Sequence, residues 1–172
     1  MALSSAEIIR LLDLRPHPTC GFTNETYRST IQIPATDLPA GYDGTRALGG
    51  FLYFMVTSQA HIRLHRIRSD QMYHHYFGDP LEVLLLYPNG KSEVRVVGSD
   101  LSAGMRPQLL VPGGTFHAGR VHSGGNFSLL GTSVWLRAEP SDVEMGDVEK
   151  LSADFPQAKE EIILFTNAAD AA

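Results

Sequence analysis

The chain has 172 residues, enough for one domain with a sizeable core, and its 43% hydrophobic and 19% charged content is ordinary for a globular protein. A net charge of -5 argues against a nucleic-acid surface, which needs clustered Lys and Arg. The single cysteine, Cys20, rules out an intrachain disulfide, and apolar runs such as 83–87 are too short to span a bilayer. The first residues show no basic region followed by an apolar run, so a cytoplasmic location is the expectation.

At the N-terminus, Ser4 or Ser5 can cap a short helix whose apolar face is Ile8, Ile9, Leu11 and Leu12, with Pro16 ending it. Residues 17–50 are rich in Thr, Pro, Gly and Asp. They read as a long irregular segment with one strand around 27–33, ordered by packing over a pocket or a partner. From Gly50 the pattern turns to short strands at 51–57, 61–67, 72–77, 81–87, 92–97, 108–111, 115–121 and 127–136. Pro88-Asn89-Gly90-Lys91 reads as a type I′ hairpin turn. Beyond Glu139 an acidic stretch opens at Pro140-Ser141-Asp142, and short helices are expected around 148–151 and 158–164 with Pro156 between them. The set predicts an all-β jelly-roll sandwich or barrel in a single domain: helix and arm 1–46, barrel 47–137, helical tail 138–172.

Side chains alternate across a strand, so parity decides what can converge. His61, Arg63, His65 and Ile67 share one face; Gln71, Tyr73, His75 and Phe77 share another; Thr115, His117 and Val121 a third. Two facing hairpin pieces would bring His65, Gln71 and His117 together inside the barrel. Two imidazoles and an amide could hold one divalent transition metal, although the usual carboxylate is missing. Without metal, the same groups serve as acid and base. The candidate catalytic residues are His65, His117, His75 and Tyr73. Tyr53, Arg63, Gln71, Phe77 and Trp135 are candidate substrate contacts, with Arg63 able to anchor a carboxylate or phosphate. The plainer readings are a satisfied structural histidine for His65, core for Tyr53 and Trp135, a buried small side chain for Cys20, and a turn cap for Asp70.

These residues resemble the cupin superfamily, whose second motif, Pro-x-Gly-x-x-His, is matched by Pro112, Gly114 and His117. More closely, the chain resembles the Cupin_5 family of small single-domain cupins. Four motifs occur in order: His17 to Tyr27, His65 to His74, Gly78 to Glu82, and Gln108 to Gly114. Two departures stand inside the second, Gln71 for the usual Glu and Tyr73 for the usual Trp. The resemblance implies a jelly roll that forms a homodimer, with the early segment near the pocket or the dimer contact.

The first functional expectation is a non-redox enzyme acting on a small organic metabolite in the barrel: an isomerase, cyclase, epimerase or dehydratase working by acid/base chemistry. The alternatives are a metal-dependent oxygenase using His65, Gln71 and His117, and a carrier that binds a small ligand without changing it. No nucleic-acid or membrane partner is expected.

Overall fold

The computed structural model describes residues 3–167. Strands run in chain order as β1 (Arg15–Pro16), β2 (Phe22–Arg28), β3 (Gln32–Ile33), β4 (Arg46–Ala47), β5 (Gly50–Thr57), β6 (Ile62–Ile67), β7 (Asp70–Gly78), β8 (Leu81–Leu86), β9 (Ser92–Val97), β10 (Gln108–Val111), β11 (Phe116–Val121), β12 (Phe127–Trp135) and β13 (Val143–Met145). The helices are α1 (Ser5–Leu11), α2 (Val148–Asp154) and α3 (Lys159–Asn167). A six-stranded sheet, β1-β2-β5-β12-β7-β10, packs on a five-stranded sheet, β13-β6-β11-β8-β9, to form the expected jelly roll; β3 and β4 pair separately.

Alternation sorts the apolar residues into three layers. Between the sheets lie Phe54, Tyr73, Leu109 and Leu130 from one and Ile62, Val83, Leu85 and Val121 from the other. Outside the five-stranded sheet, Leu64, Leu84, Leu86 and Ala118 meet Leu151, Phe155, Ile162 and Phe165 of the C-terminal helical segment. Outside the six-stranded sheet, Met55 and Leu129 meet Ile8 and Leu14. Full burial of side chains such as Ile162 and Phe165 contributes about 1.5–3 kcal/mol each, so the tail is part of the folded unit.

The N-terminal helix forms as expected. Ser4 caps it, and Glu7 returns a hydrogen bond to the Ser4 backbone N–H. Its buried face is narrower than the pattern suggests: Ile8 is buried, whereas Leu11 points to water. The arm is more ordered than its composition implies. β2 begins at Phe22, five residues ahead of the expected strand, and pairs with β5 along its whole length. The turn after β8 is also different. Gly90 alone among its residues has positive φ, at 83°, and its N–H bonds the Tyr87 carbonyl at 3.0 Å. Tyr87 then pairs with Lys91, giving a three-residue loop with glycine in the left-handed position instead of a type I′ turn. Pro88 favours this by fixing its own φ for the first turn position.

Arm and tail are joined by a buried ion pair. Arg46 donates from Nε to Asp142 Oδ2 and from Nη2 to Asp142 Oδ1, both at 2.8 Å, and also reaches Asp43. The side chains of Arg46 and Asp142 are 3% and 1% exposed. Asp142 then leads into β13, which extends the edge of the five-stranded sheet along β6. Among the described residues, no helix is long and apolar enough to cross a membrane.

Candidate functional site

His65 on β6 and His117 on β11 are direct cross-strand partners, and their ring centroids lie 4.3 Å apart. Both face the space between the sheets, where β7 of the opposite sheet presents Gln71 and Tyr73. All four side chains are buried. Gln71 Nε2 lies 3.2 Å from His117 Nε2, and the Tyr73 ring meets His117 edge-on at 6.2 Å. The expected convergence of His65, Gln71 and His117 is therefore present, with Tyr73 beside it.

Backbone carbonyls set the tautomers. His65 Nδ1 is 2.6 Å from the Arg63 carbonyl oxygen, and His117 Nδ1 is 3.2 Å from that of Thr115. A carbonyl oxygen accepts, so each Nδ1 carries the proton and each Nε2 keeps its lone pair. The Gln71 amide N–H then donates to His117 Nε2. The loops framing these strands are locked together. The Gly113 N–H donates to Asp70 Oδ1 at 2.7 Å, and a side-chain carbon at Gly113 would collide with the Arg68 carbonyl. Asp70 thus acts as a structural pin, in line with its plainer reading.

Other candidates are not in this cluster. Arg63 is removed by a β-bulge: β6 and β11 shift register between the His65–His117 and Ile62–Gly119 pairs, and the extra residue breaks the alternation. Arg63 ends exposed, its N–H on the Thr19 carbonyl and its guanidinium 3.4 Å from the Pro18 carbonyl. A second bulge, between β7 and β12, does the same to Phe77, which turns outward beside Phe127 and is 47% exposed. Tyr53 faces outward too, in the layer under α1 and against Tyr76. Trp135, at the end of β12, is 52% exposed. His75 keeps the inward parity but lies further along β7, half-buried, with Nε2 3.3 Å from the Asp79 carbonyl.

The family model of Cupin_5, described as cupin superfamily (DUF985), matches residues 6–145. The chain belongs to this family. Its fold is similar to a hypothetical protein from Leishmania major, 25% identical with a TM-score of 0.85 over 95% of this chain and 98% of that one. It is also similar to a protein from Shewanella oneidensis, 29% identical with a TM-score of 0.82 over 96% and 98% of the two chains. An oxalate decarboxylase from Bacillus subtilis shares the fold alone, at 15% identity and a TM-score of 0.51 over 92% of this chain and 38% of that one. No curated protein matches the chain.

In this cupin the barrel site is polar yet uncharged. Burial lowers the pKa of His65 to about 4, the Arg63 carbonyl opposing the shift and neighbouring His17 adding to it. Burial, reinforced by His65, lowers that of His117 well below the ordinary histidine range. Burial, with Cys20 adding to it, also raises the Tyr73 hydroxyl well above its usual value, so it remains a protonated donor.

The donor set does not fit a firmly held metal. Two imidazoles supply neutral nitrogens, but the lone pair of His117 already accepts from Gln71, and no carboxylate stands by to balance a cation. Among the described residues, no group of three or more His, Cys, Asp or Glu side chains could hold a metal ion.

Reading by strand parity alone missed several residues around the cluster. The early motif folds across the start of β6, with Cys20 bridging to Ile62, so His17, Thr19 and Cys20 come close to the histidines. Burial, opposed by a contact with Thr19, pushes the Cys20 thiol up to about 11. Thr115 and Thr132 are buried with hydroxyls that have no hydrogen-bond partner. The one sequence signal for His17 is the early family motif; parity groups Thr115 with His117, and nothing local marks Thr132.

Proposed function

We propose that this cupin binds a small organic molecule at the His65–His117 end of the barrel and moves a proton on it without redox chemistry, as an isomerase, cyclase, epimerase or dehydratase does. One observation carries the reading: two adjacent neutral imidazoles, each pinned at Nδ1 by a backbone carbonyl, aim their Nε2 lone pairs at the barrel interior beside a protonated tyrosine. A base needs a lone pair within hydrogen-bond reach of the proton it takes. His65 Nε2 is the base in this scheme, since His117 Nε2 is engaged by Gln71. Tyr73 donates toward the oxygen on which charge develops, in a site that excludes water.

The low pKa of His65 shapes the chemistry. The ring is neutral throughout the physiological range, and once protonated it returns its proton readily. Turnover should therefore fall as pH drops through about 4 and stay level across neutral pH. The same weak basicity supports a second reading, a carrier in which Nε2 accepts a hydrogen bond and no proton moves.

The test is a screen of small carbonyl and hydroxyl compounds by proton–deuterium exchange at carbon, with the intact protein beside His65→Ala and His117→Ala. Exchange that both substitutions abolish supports catalysis. Binding without exchange supports the carrier, and exchange that survives both substitutions sinks the site.

A further inference from the structure

We infer that the ligand of this interior site is a small uncharged molecule bearing a carbonyl or hydroxyl group, and that carboxylates and phosphates are excluded. The inference rests on the proposed function and deepens it.

β5, β10 and β12 contain no charged residue at all. On β6, β9 and β11 each arginine is committed to the outside, as Arg15 and Arg28 are on β1 and β2, where they pair with Asp13 and Glu25. Arg63 sits on the bulge against the Pro18 carbonyl; Arg66 lies over Phe116 and pairs with Glu144; Arg95 pairs with Glu93; Arg120 pairs with Glu82. Among the described residues the interior therefore offers neither a cation to meet an anionic ligand nor a carboxylate to meet an ammonium. Taking an unpaired charge into such a space is strongly unfavourable, whereas a neutral polar group needs hydrogen-bond partners alone.

Those partners are present and under-used. Thr132 stands directly opposite Tyr73 in the β12–β7 register, and Thr115, just before β11, offers its carbonyl to His117 Nδ1. Both threonines are more than nine-tenths buried, and neither hydroxyl has a partner. Buried polar groups are normally satisfied, so two orphaned hydroxyls, one on the partner of Tyr73 and one two residues before His117, mark a place where a ligand's polar atoms complete the network. Hydroxyls and Tyr73 donate to a carbonyl; the His65 Nε2 lone pair accepts from a hydroxyl. The remaining interior is filled by apolar side chains such as Phe54, Leu85 and Leu130.

The test uses amide and acid pairs of nearly equal shape, so that charge is the variable. Full-length protein is titrated at pH 7 with acetamide and separately with acetate, then with propionamide and propionate, while the ring resonances of His65 and His117 are followed by NMR. The amides should shift both rings saturably, and the acids should bind at least tenfold more weakly. Acids that shift the rings as well as or better than the amides would overturn the inference and leave the interior site standing. If neither series moves the rings, the inference and the proposed site fall together. Thr132→Val retains the shape of the side chain and should weaken the amides about threefold to tenfold, the contribution of one ordinary hydrogen bond. Unchanged affinity in that variant would count against the inference.

Discussion

Two buried polar clusters among the described residues, Arg46–Asp142 and His65–His117, answer the cost of burial in opposite ways. The Arg46–Asp142 pair is charged and saturated: both carboxylate oxygens accept from the guanidinium, and Asp142 Oδ2 also takes the Glu139 N–H. Burial pushes the Asp142 carboxyl up, but Arg46 and the Glu139 N–H together outweigh it and the net shift is downward. The His65–His117 cluster is uncharged and under-satisfied, with orphaned hydroxyls at Thr115 and Thr132. A saturated network fixes architecture, here the junction of arm and tail, whereas an unsaturated one is where binding can add something.

The largest effect should come from breaking the charged cluster. Asp142→Ala removes the buried partner of Arg46 and leaves only the exposed Asp43 to balance it, which should cost up to about 3–5 kcal/mol of stability in a denaturant titration. A loss below about 1 kcal/mol would mean that the pair is not the junction described. The uncharged cluster should respond to acid instead. Its histidines titrate lower in the folded chain than in the unfolded one, so stability is fully present above about pH 6.5 and declines as pH falls toward 4, where the unfolded chain takes up protons and the fold does not. For His65, a fall from 6.5 to about 4 corresponds to about 3 kcal/mol. His65→Gln should flatten that decline between pH 7 and 4, and an unaltered pH dependence would contradict a buried neutral His65.

Comparing the clusters also shows how much the sequence discloses. Strands with nearly continuous apolar runs, such as β8, are legible, and so is the meeting of His65, Gln71 and His117, because these residues fall on regular pairings. Arg63 and Phe77 were misplaced because each adjoins a bulge, where one extra residue reverses every later orientation. β2 was misjudged because Phe-Thr-Asn-Glu-Thr-Tyr-Arg carries little apolar alternation; it lies near a sheet edge and is mostly exposed. The Arg46–Asp142 pair was invisible, since the partners stand 96 residues apart in polar segments that look like loops.

The smallest expected effect is that of Thr132→Val on the unliganded protein. Removing an unpaired buried hydroxyl should leave stability unchanged or raise it by up to about 1 kcal/mol, read as a small increase in Tm. A loss above about 1 kcal/mol would show that the hydroxyl has a structural partner.

The most direct test of the central claim is the tautomer and charge of the two histidines, read from long-range proton–nitrogen NMR correlations between pH 3 and 8. Both rings should be neutral with the proton on Nδ1 at pH 7, and His65 should gain its second proton near pH 4. A ring charged at pH 7, or protonated on Nε2 instead, would contradict a site built from two inward lone pairs.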